Sequence, residues 1–312
     1  MFTQTGGLWA ALVLLAGPAA AEPLLSPQEV AARLGDPEVV VLDIRSAGAE
    51  GPAPFETARV PGAVNADYRA AGWRVARDGV PGMLPPVAQA EALIRGLGVD
   101  AGDHVVIANV GAGENGVDMG AATRVYWTFK VLGHDRVSIM EGGMRAWEAA
   151  GLPLEDGAAA APAPGDFSAA FRPDLYATAS DVALALTEPS ALLLDGRPAA
   201  QFRGEAKSGV VARAGALPGA ANYPVQSMLT DGGGRFAEAE VIAATLSRIE
   251  AEAGAPTAVA YCNTGHWASL AWFAASEIAG RDGVSVYDGS MVEWAADPSR
   301  PVLPAGRPRD GG

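Results

Sequence analysis

Short apolar runs recur along the chain, each closed by turn residues and followed by a stretch with helical spacing. Residues 39–44 and 105–110 have this form, as do 191–194, 258–261 and 284–287. Strands covered on both faces read as continuous apolar runs rather than alternating ones. Strands alternating with helices predict an α/β fold, mainly parallel sheets with helices on both faces. In such sheets ligands bind at the carboxyl ends of the strands. Helix starts are also marked. Ser26-Pro27-Gln28-Glu29 forms a capping box with Pro at the first helical position, and Ser180-Asp181 before Val182 is a weaker version.

The pattern repeats at a period near 150 residues. "VVLDIR" (40–45) returns as "LLLDGR" (192–197), and "VPGAVN" (60–65) as "LPGAAN" (217–222). "EGGMRAW" (141–147) returns as "DGSMVEW" (288–294). Between the copies, the Ala/Pro/Gly-rich residues 155–170 read as a linker. The expected organisation is a first domain over 22–154 and a second over 171–312. Met144, Met291, Trp147 and Trp294 recur at one spacing in both copies, which predicts core positions.

Residues 1–21 have an apolar run from Leu8 to Ala16 that ends in Ala19-Ala20-Ala21, although no Lys or Arg precedes it. This predicts an export signal cleaved near Ala21 and a mature chain from Glu22 in the periplasm or outside the cell. A buried N-terminal helix is the alternative. No other segment is apolar enough to span a membrane. Net charge is −14, which argues against nucleic acid or an anionic membrane surface as partner. Any small anion would need a local cationic site.

The only cysteine, Cys262, follows the predicted strand at 258–261. Asn263, Thr264, Gly265 and His266 suit a tight turn, and helical spacing resumes over 267–278. In an oxidising compartment cysteines usually pair. A leftover thiol is an intermolecular link or a reactive group, or else a small buried apolar residue. Its place in a strand-to-helix loop predicts an accessible, reactive thiol. The start of a helix offers unpaired N–H groups and the positive end of the dipole, which favour a thiolate and could cradle a persulfide anion. Gly265 lets that backbone curl closely. Aligning the copies sets Asn109 where the second has Cys262. An amide is no nucleophile, so the first half should shape the site rather than catalyse. Three scattered histidines and one cysteine make no metal cluster.

With these pieces in order and duplicated, "LDIR", "VPGAVN", "LGHDRVSIMEGGMRAW", "LLLDGR", "LPGAANYP", "YCNTGHWAS" and "YDGSMVEW", the chain resembles the tandem-domain rhodaneses over nearly all of 24–300. The resemblance implies two rhodanese-like α/β domains and a sulfurtransferase whose catalytic Cys262 carries sulfur as a persulfide, with no cofactor. Related loops serve cysteine phosphatases, which need an arginine six residues after the cysteine; here that position is Ala268. The family's "D-x-R" arginine and a second one beyond help hold the donor's anionic group. That implies Arg197 and Arg203, although many relatives place the second arginine at the position of Gln201.

Residues 197–213 hold Arg197, Arg203, Lys207 and Arg213 against one acid, Glu205. This cationic excess favours thiosulfate, a dianion, as donor, with a thiol or cyanide as acceptor and room for a protein sulfur acceptor. Mercaptopyruvate is the alternative donor. Asn263 and Thr264 could donate hydrogen bonds to either. His266 is either an imidazolium that adds charge beside the thiolate, making kcat/KM for thiosulfate fall as pH rises, or a solvent-facing residue at the rim. A non-catalytic sulfur carrier would have the same loop.

Overall fold

In the computed structural model, which describes residues 21–48, 53–113, 116–188, 191–253 and 255–303, the apolar runs form two five-stranded sheets. Apart from Ala21, the expected export segment lies outside the described residues. The first half contains β1 (Leu24–Leu25), β2 (Val39–Asp43), β3 (Val64–Asn65), a hairpin of β4 (Val75–Arg77) and β5 (Val80–Met83), β6 (His104–Ala108) and β7 (Val137–Met140). The second contains β8 (Tyr176–Ala177), β9 (Ala191–Asp195), β10 (Ala221–Asn222), a hairpin of β11 (Leu229–Thr230) and β12 (Arg235–Phe236), β13 (Thr257–Tyr261) and β14 (Val284–Tyr287).

The sheet orders are β1-β7-β6-β2-β3 and β10-β9-β13-β14-β8, each parallel throughout. Read from opposite ends they are the same sheet, with β6 and β13 at the centre. Asp43 pairs in register with Ala108, and Asp195 with Tyr261. Asn109 and Cys262 therefore follow equivalent positions, as the sequence repeat predicts.

The helices are α1 (Pro27–Ala31), α2 (Pro54–Thr57), α3 (Val87–Gly96), α4 (Val117–Val131) and α5 (Gly143–Ala149) in the first half. The second has α6 (Ala179–Thr187), α7 (Ala199–Phe202), α8 (Ala239–Ala253), α9 (His266–Phe273) and α10 (Ser290–Trp294). The capping box of α1 forms on Ser26 as predicted. That of α6 forms instead on Thr178 with Asp181 at its third position, because Thr178 supplies both the extended backbone and the hydroxyl that the cap requires. Beyond α9, one π-turn carries the helix on over Ala274–Ile278.

Alternate strand residues point to opposite faces, and both faces are covered. In β6, Val106 and Ala108 join an outer apolar cluster, while Val105 and Ile107 join an inner one. In β13, Val259 and Tyr261 face outward, and Ala258 and Ala260 face inward. This explains the unbroken apolar runs. The inner cluster is common to the two halves, with α4 packed on α9 at its centre. Tyr126 of α4 meets Phe273 of α9 edge-on at 4.8 Å, a contact that adds about 1 kcal/mol beyond area burial. Met144, Met291, Trp147 and Trp294 are buried in the outer clusters.

Residues 155–170 do not behave as a free linker. Arg59, buried in the first half, pairs with the Glu155 carboxylate, Gly165 N–H donates to Arg95 O at 2.8 Å, and Phe167 is buried. The segment is held along the first half by these bonds despite its Ala/Pro composition. No helix among the described residues is long and apolar enough to cross a membrane.

Candidate active site

Cys262 leaves the carboxyl end of the central strand β13 and opens the turn into α9. Gly265, the last residue before the helix, has φ +77°. A Cβ there would stand 2.7 Å from Asp288 O and 2.8 Å from Arg124 Nη1, so the turn can close only on glycine. Ser269 N–H donates to Gly265 O as the helix begins. The N–H groups of His266, Trp267 and Ala268 belong to the set that a helix start leaves without intrahelical partners.

Ser290 braces the turn from below. Its Oγ accepts the N–H of Cys262 and that of Gly265, each at 3.1 Å, and donates to Tyr287 O at 2.8 Å. Ser290 has φ +49°, and its counterpart Gly143 has φ +53°. The thiol-bearing half thus carries a hydroxyl in a left-handed position where the other half keeps glycine. The change of "EGGM" to "DGSM" was its only trace in the sequence.

The thiol itself is not open. Cys262 is only 1% exposed, against the expectation of an accessible thiol, because it joins the inner apolar cluster. It nonetheless reaches the wall of a cleft of ≈ 770 Å³ between the halves. The second half contributes Cys262, Asn263, Thr264, His266 and Trp267 to this cleft, and the first half contributes Tyr68, Arg69, Arg74, Val110 and Asp118.

Arg197 and Arg203 are not among the residues that line it. Arg197 is fully buried and clasps Asp195 through Nε (2.9 Å to Oδ1) and Nη2 (2.6 Å to Oδ2), with Nη2 also donating to Gly215 O. Arg45 clasps Asp43 with the same two distances in the half that lacks the thiol. The "D-x-R" fork is thus a loop clamp common to both halves. Arg203 is exposed and pairs with Glu205 at 2.7 Å. Lys207 donates to Val211 O, and Arg213 to the carbonyls of Ala295, Asp297 and Arg300. Arg203, Lys207 and Arg213 are therefore spent on neighbouring oxygens, whereas Arg197, held by Asp195 within electrostatic reach of Cys262, keeps its buried Nη1 without a hydrogen-bond partner.

The remaining expected residues stay in the loop. Asn263 Nδ2 donates to Gln201 Oε1 at 2.9 Å, so Gln201 meets the turn through an amide pair. Thr264 O accepts from Arg74 Nη2 at 2.5 Å. His266 is part-buried, neither free at the rim nor charged. Its Nε2–H donates to Val117 O at 2.8 Å, which leaves Nδ1 to accept from the Tyr68 hydroxyl at 2.8 Å. Burial pushes the imidazole down to about 3, and the Arg74 guanidinium pushes the same way. Of the two readings of His266, imidazolium or rim residue, this packing matches neither: it favours a neutral imidazole held between Tyr68 and Val117. Burial likewise raises Tyr68, against the pull of Arg74 and Arg124.

The first half braces the loop from its other side. Arg124 of α4 and Asp288 form a fully buried ion pair at 2.6 Å, Arg124 Nη1 also reaches Gly265 O at 3.3 Å, and Leu84 N–H donates to Asp288 Oδ2. In the loop equivalent to the thiol's, Asp118 accepts from Asn109 Nδ2 (2.8 Å), Val110 N–H (3.1 Å) and Gly111 N–H (2.8 Å). Burial raises this carboxyl above its ordinary value while those donors pull it down. Tyr68, Arg74, Arg124 and Ser290 are the site residues that the sequence did not reveal. Strand-end rules locate a loop, not the side chains that reach it from the other half.

The family model for the rhodanese-like domain matches residues 26–150 and again 178–297. A probable 3-mercaptopyruvate sulfurtransferase of Pseudomonas aeruginosa is 34% identical over 285 residues, which cover 89% of this chain and 97% of that one. The 3-mercaptopyruvate sulfurtransferase of Escherichia coli K12 is 31% identical, over 88% of this chain and 95% of that one. Among solved structures, SseA from Escherichia coli superposes with a TM-score of 0.69 at 27% identity, over 86% of this chain and 99% of that one.

Proposed function

The chain belongs to the rhodanese-like family and is a sulfurtransferase, and on that premise we propose that it takes sulfur from an α-keto thiol of the 3-mercaptopyruvate kind through a persulfide on Cys262. The observation that carries the reading is the sole thiol at the end of β13, lining a cleft that also holds guanidinium groups from the first half. The names of the relatives support the same donor. The case for thiosulfate rested on residues 197–213, and those cations do not line the cleft.

In the first step the Cys262 thiolate attacks the donor's sulfur. The new S–S bond forms as the donor's C–S bond breaks. Its electron pair passes to the carbon as an enolate, and a proton equivalent to that of the donor's S–H ends on the carbon, giving pyruvate. The unpaired N–H groups at the start of α9 suit the persulfide anion that remains. In the second step an acceptor thiolate, or cyanide, attacks the outer sulfur and the Cys262 thiolate leaves.

Two measurements test the reading. After mercaptopyruvate treatment, intact mass should show one added sulfur on the wild type and none on Cys262→Ser. Steady-state kcat/KM with a thiol or cyanide acceptor should be higher for mercaptopyruvate than for thiosulfate. Sulfur retained by Cys262→Ser sinks the nucleophile, and a thiosulfate preference sinks the donor. One round of loading without turnover would instead mark a sulfur carrier.

A further inference from the structure

We propose that the Arg74 guanidinium, supplied by the half without the thiol, binds the carboxylate of the sulfur donor; this rests on the α-keto-thiol reading above. A net charge of −14 means that an anion must be recruited by local positive potential. Most cations around the site are already neutralised by carboxylates. Arg45 clasps Asp43, Arg197 clasps Asp195, Arg203 holds Glu205 and Arg124 holds Asp288. Among the described residues, Arg69 and Arg74 line the cleft with no carboxylate paired to them. Arg69 is exposed, whereas Arg74 is half-buried and fixed from two sides.

Arg74 Nε donates to Gly82 O at 2.9 Å, and Nη2 donates to Thr264 O at 2.5 Å. Both acceptors are neutral carbonyls, so the guanidinium keeps its full charge. Thr264 is two residues from Cys262, so the tether sets the distance between cation and thiol. A guanidinium held in place before the ligand arrives loses little entropy on binding, and its planar fork matches a carboxylate. The backbone makes room for this pose. Gly82 has φ +81°, and a Cβ on it would collide with the Arg74 guanidinium. Gly82→Ala therefore displaces the group without removing its charge.

The test uses two donors, mercaptopyruvate and its uncharged counterpart mercaptoacetone, with wild type, Arg74→Met, Arg74→Lys and Gly82→Ala. Arg74→Met should raise KM for mercaptopyruvate about 10- to 100-fold, the loss of one charge-assisted hydrogen-bonded contact. KM for mercaptoacetone should stay within about twofold. Arg74→Lys should recover part of the loss, and Gly82→Ala should resemble Arg74→Met on the charged donor. Equal losses on both donors would overturn the proposal, since Arg74 would then act only by holding the Thr264 turn. An unchanged KM for mercaptopyruvate in Arg74→Met would place the carboxylate elsewhere and also overturn it. A preference for thiosulfate appears in the wild type alone, so failure of the donor reading is visible before any variant is made, and it removes the carboxylate this proposal needs.

Discussion

The Oγ of Ser290 accepts the backbone N–H of Cys262 at 3.1 Å, across 28 residues of sequence. Because the same oxygen accepts from Gly265, one hydroxyl fixes both ends of the turn that carries the thiol. Ser290→Ala strands these buried N–H groups and keeps a side chain at positive φ. It should cost about 1–3 kcal/mol of stability and slow persulfide formation. Ser290→Gly also loses the hydroxyl but relieves the backbone, so it should be the more stable of the two variants while equally slow. Urea unfolding and single-turnover mass spectrometry check both; Ser290→Ala with wild-type loading kinetics would show that the brace is dispensable.

Gly265→Ala should be worse than either. Its Cβ would meet Asp288 O and Arg124 Nη1 at under 3 Å while the residue needs φ +77°. The clash sits where Arg124 and Asp288 are buried as an ion pair, so the strain cannot be relieved without parting them. We expect a loss of about 2 kcal/mol or more and no measurable turnover. Wild-type activity in a folded Gly265→Ala protein would refute this geometry.

Arg197→Met should act on folding more than on donor binding. It leaves the buried Asp195 carboxylate without its partner, a loss of about 3–5 kcal/mol. Arg203→Ala removes an exposed pair and should change neither stability nor KM measurably. A selective rise in donor KM in either variant, with stability intact, would return the anion site to these arginines.

His266 should lend the protein a pH-dependent stability but no catalytic titration. In the folded chain its imidazole is pushed down to about 3 from the ordinary 6.5. Between those values the unfolded chain binds a proton that the folded chain does not, so stability rises with pH through the window and is complete above it. His104, pushed down to about 4 by burial, contributes in the same direction, so the useful quantity is the difference between wild type and His266→Asn. That difference should shrink as pH falls from about 7 to about 4.5. A kcat/KM limb near pH 6.5 that disappears in His266→Asn would mean the imidazole titrates in the active enzyme after all.

Much of this molecule was legible in one dimension. Continuous apolar runs identified β2, β6, β9, β13 and β14, because a strand covered on both faces leaves no polar side to alternate. Aligning the repeats matched Asn109 with Cys262, and the sheet register agrees. The cations were not legible. Arg197 stands in the same half as the thiol, but a carboxylate two residues away captures it first. Arg74 lies 188 positions from Cys262 and arrives only because the β4–β5 hairpin folds against the second half. His266 reads in sequence as either an imidazolium beside the thiolate or a solvent-facing rim residue, yet Tyr68 and Val117 of the first half hold both of its ring nitrogens.

The packing of α4 on α9 has a consequence for how such a chain can change. These helices follow equivalent central strands, so their contact is one that two identical subunits could make with each other. In a symmetric dimer every substitution appears twice, and an active site assembled between subunits must tolerate it in both roles. Covalent fusion lifts that condition. One copy could keep its thiol while the other gave up nucleophilicity at Asn109, filled its own loop with Asp118 and turned Tyr68, Arg74 and Arg124 toward its neighbour. The asymmetry of the site is something a pair of identical subunits cannot encode and a fused pair can.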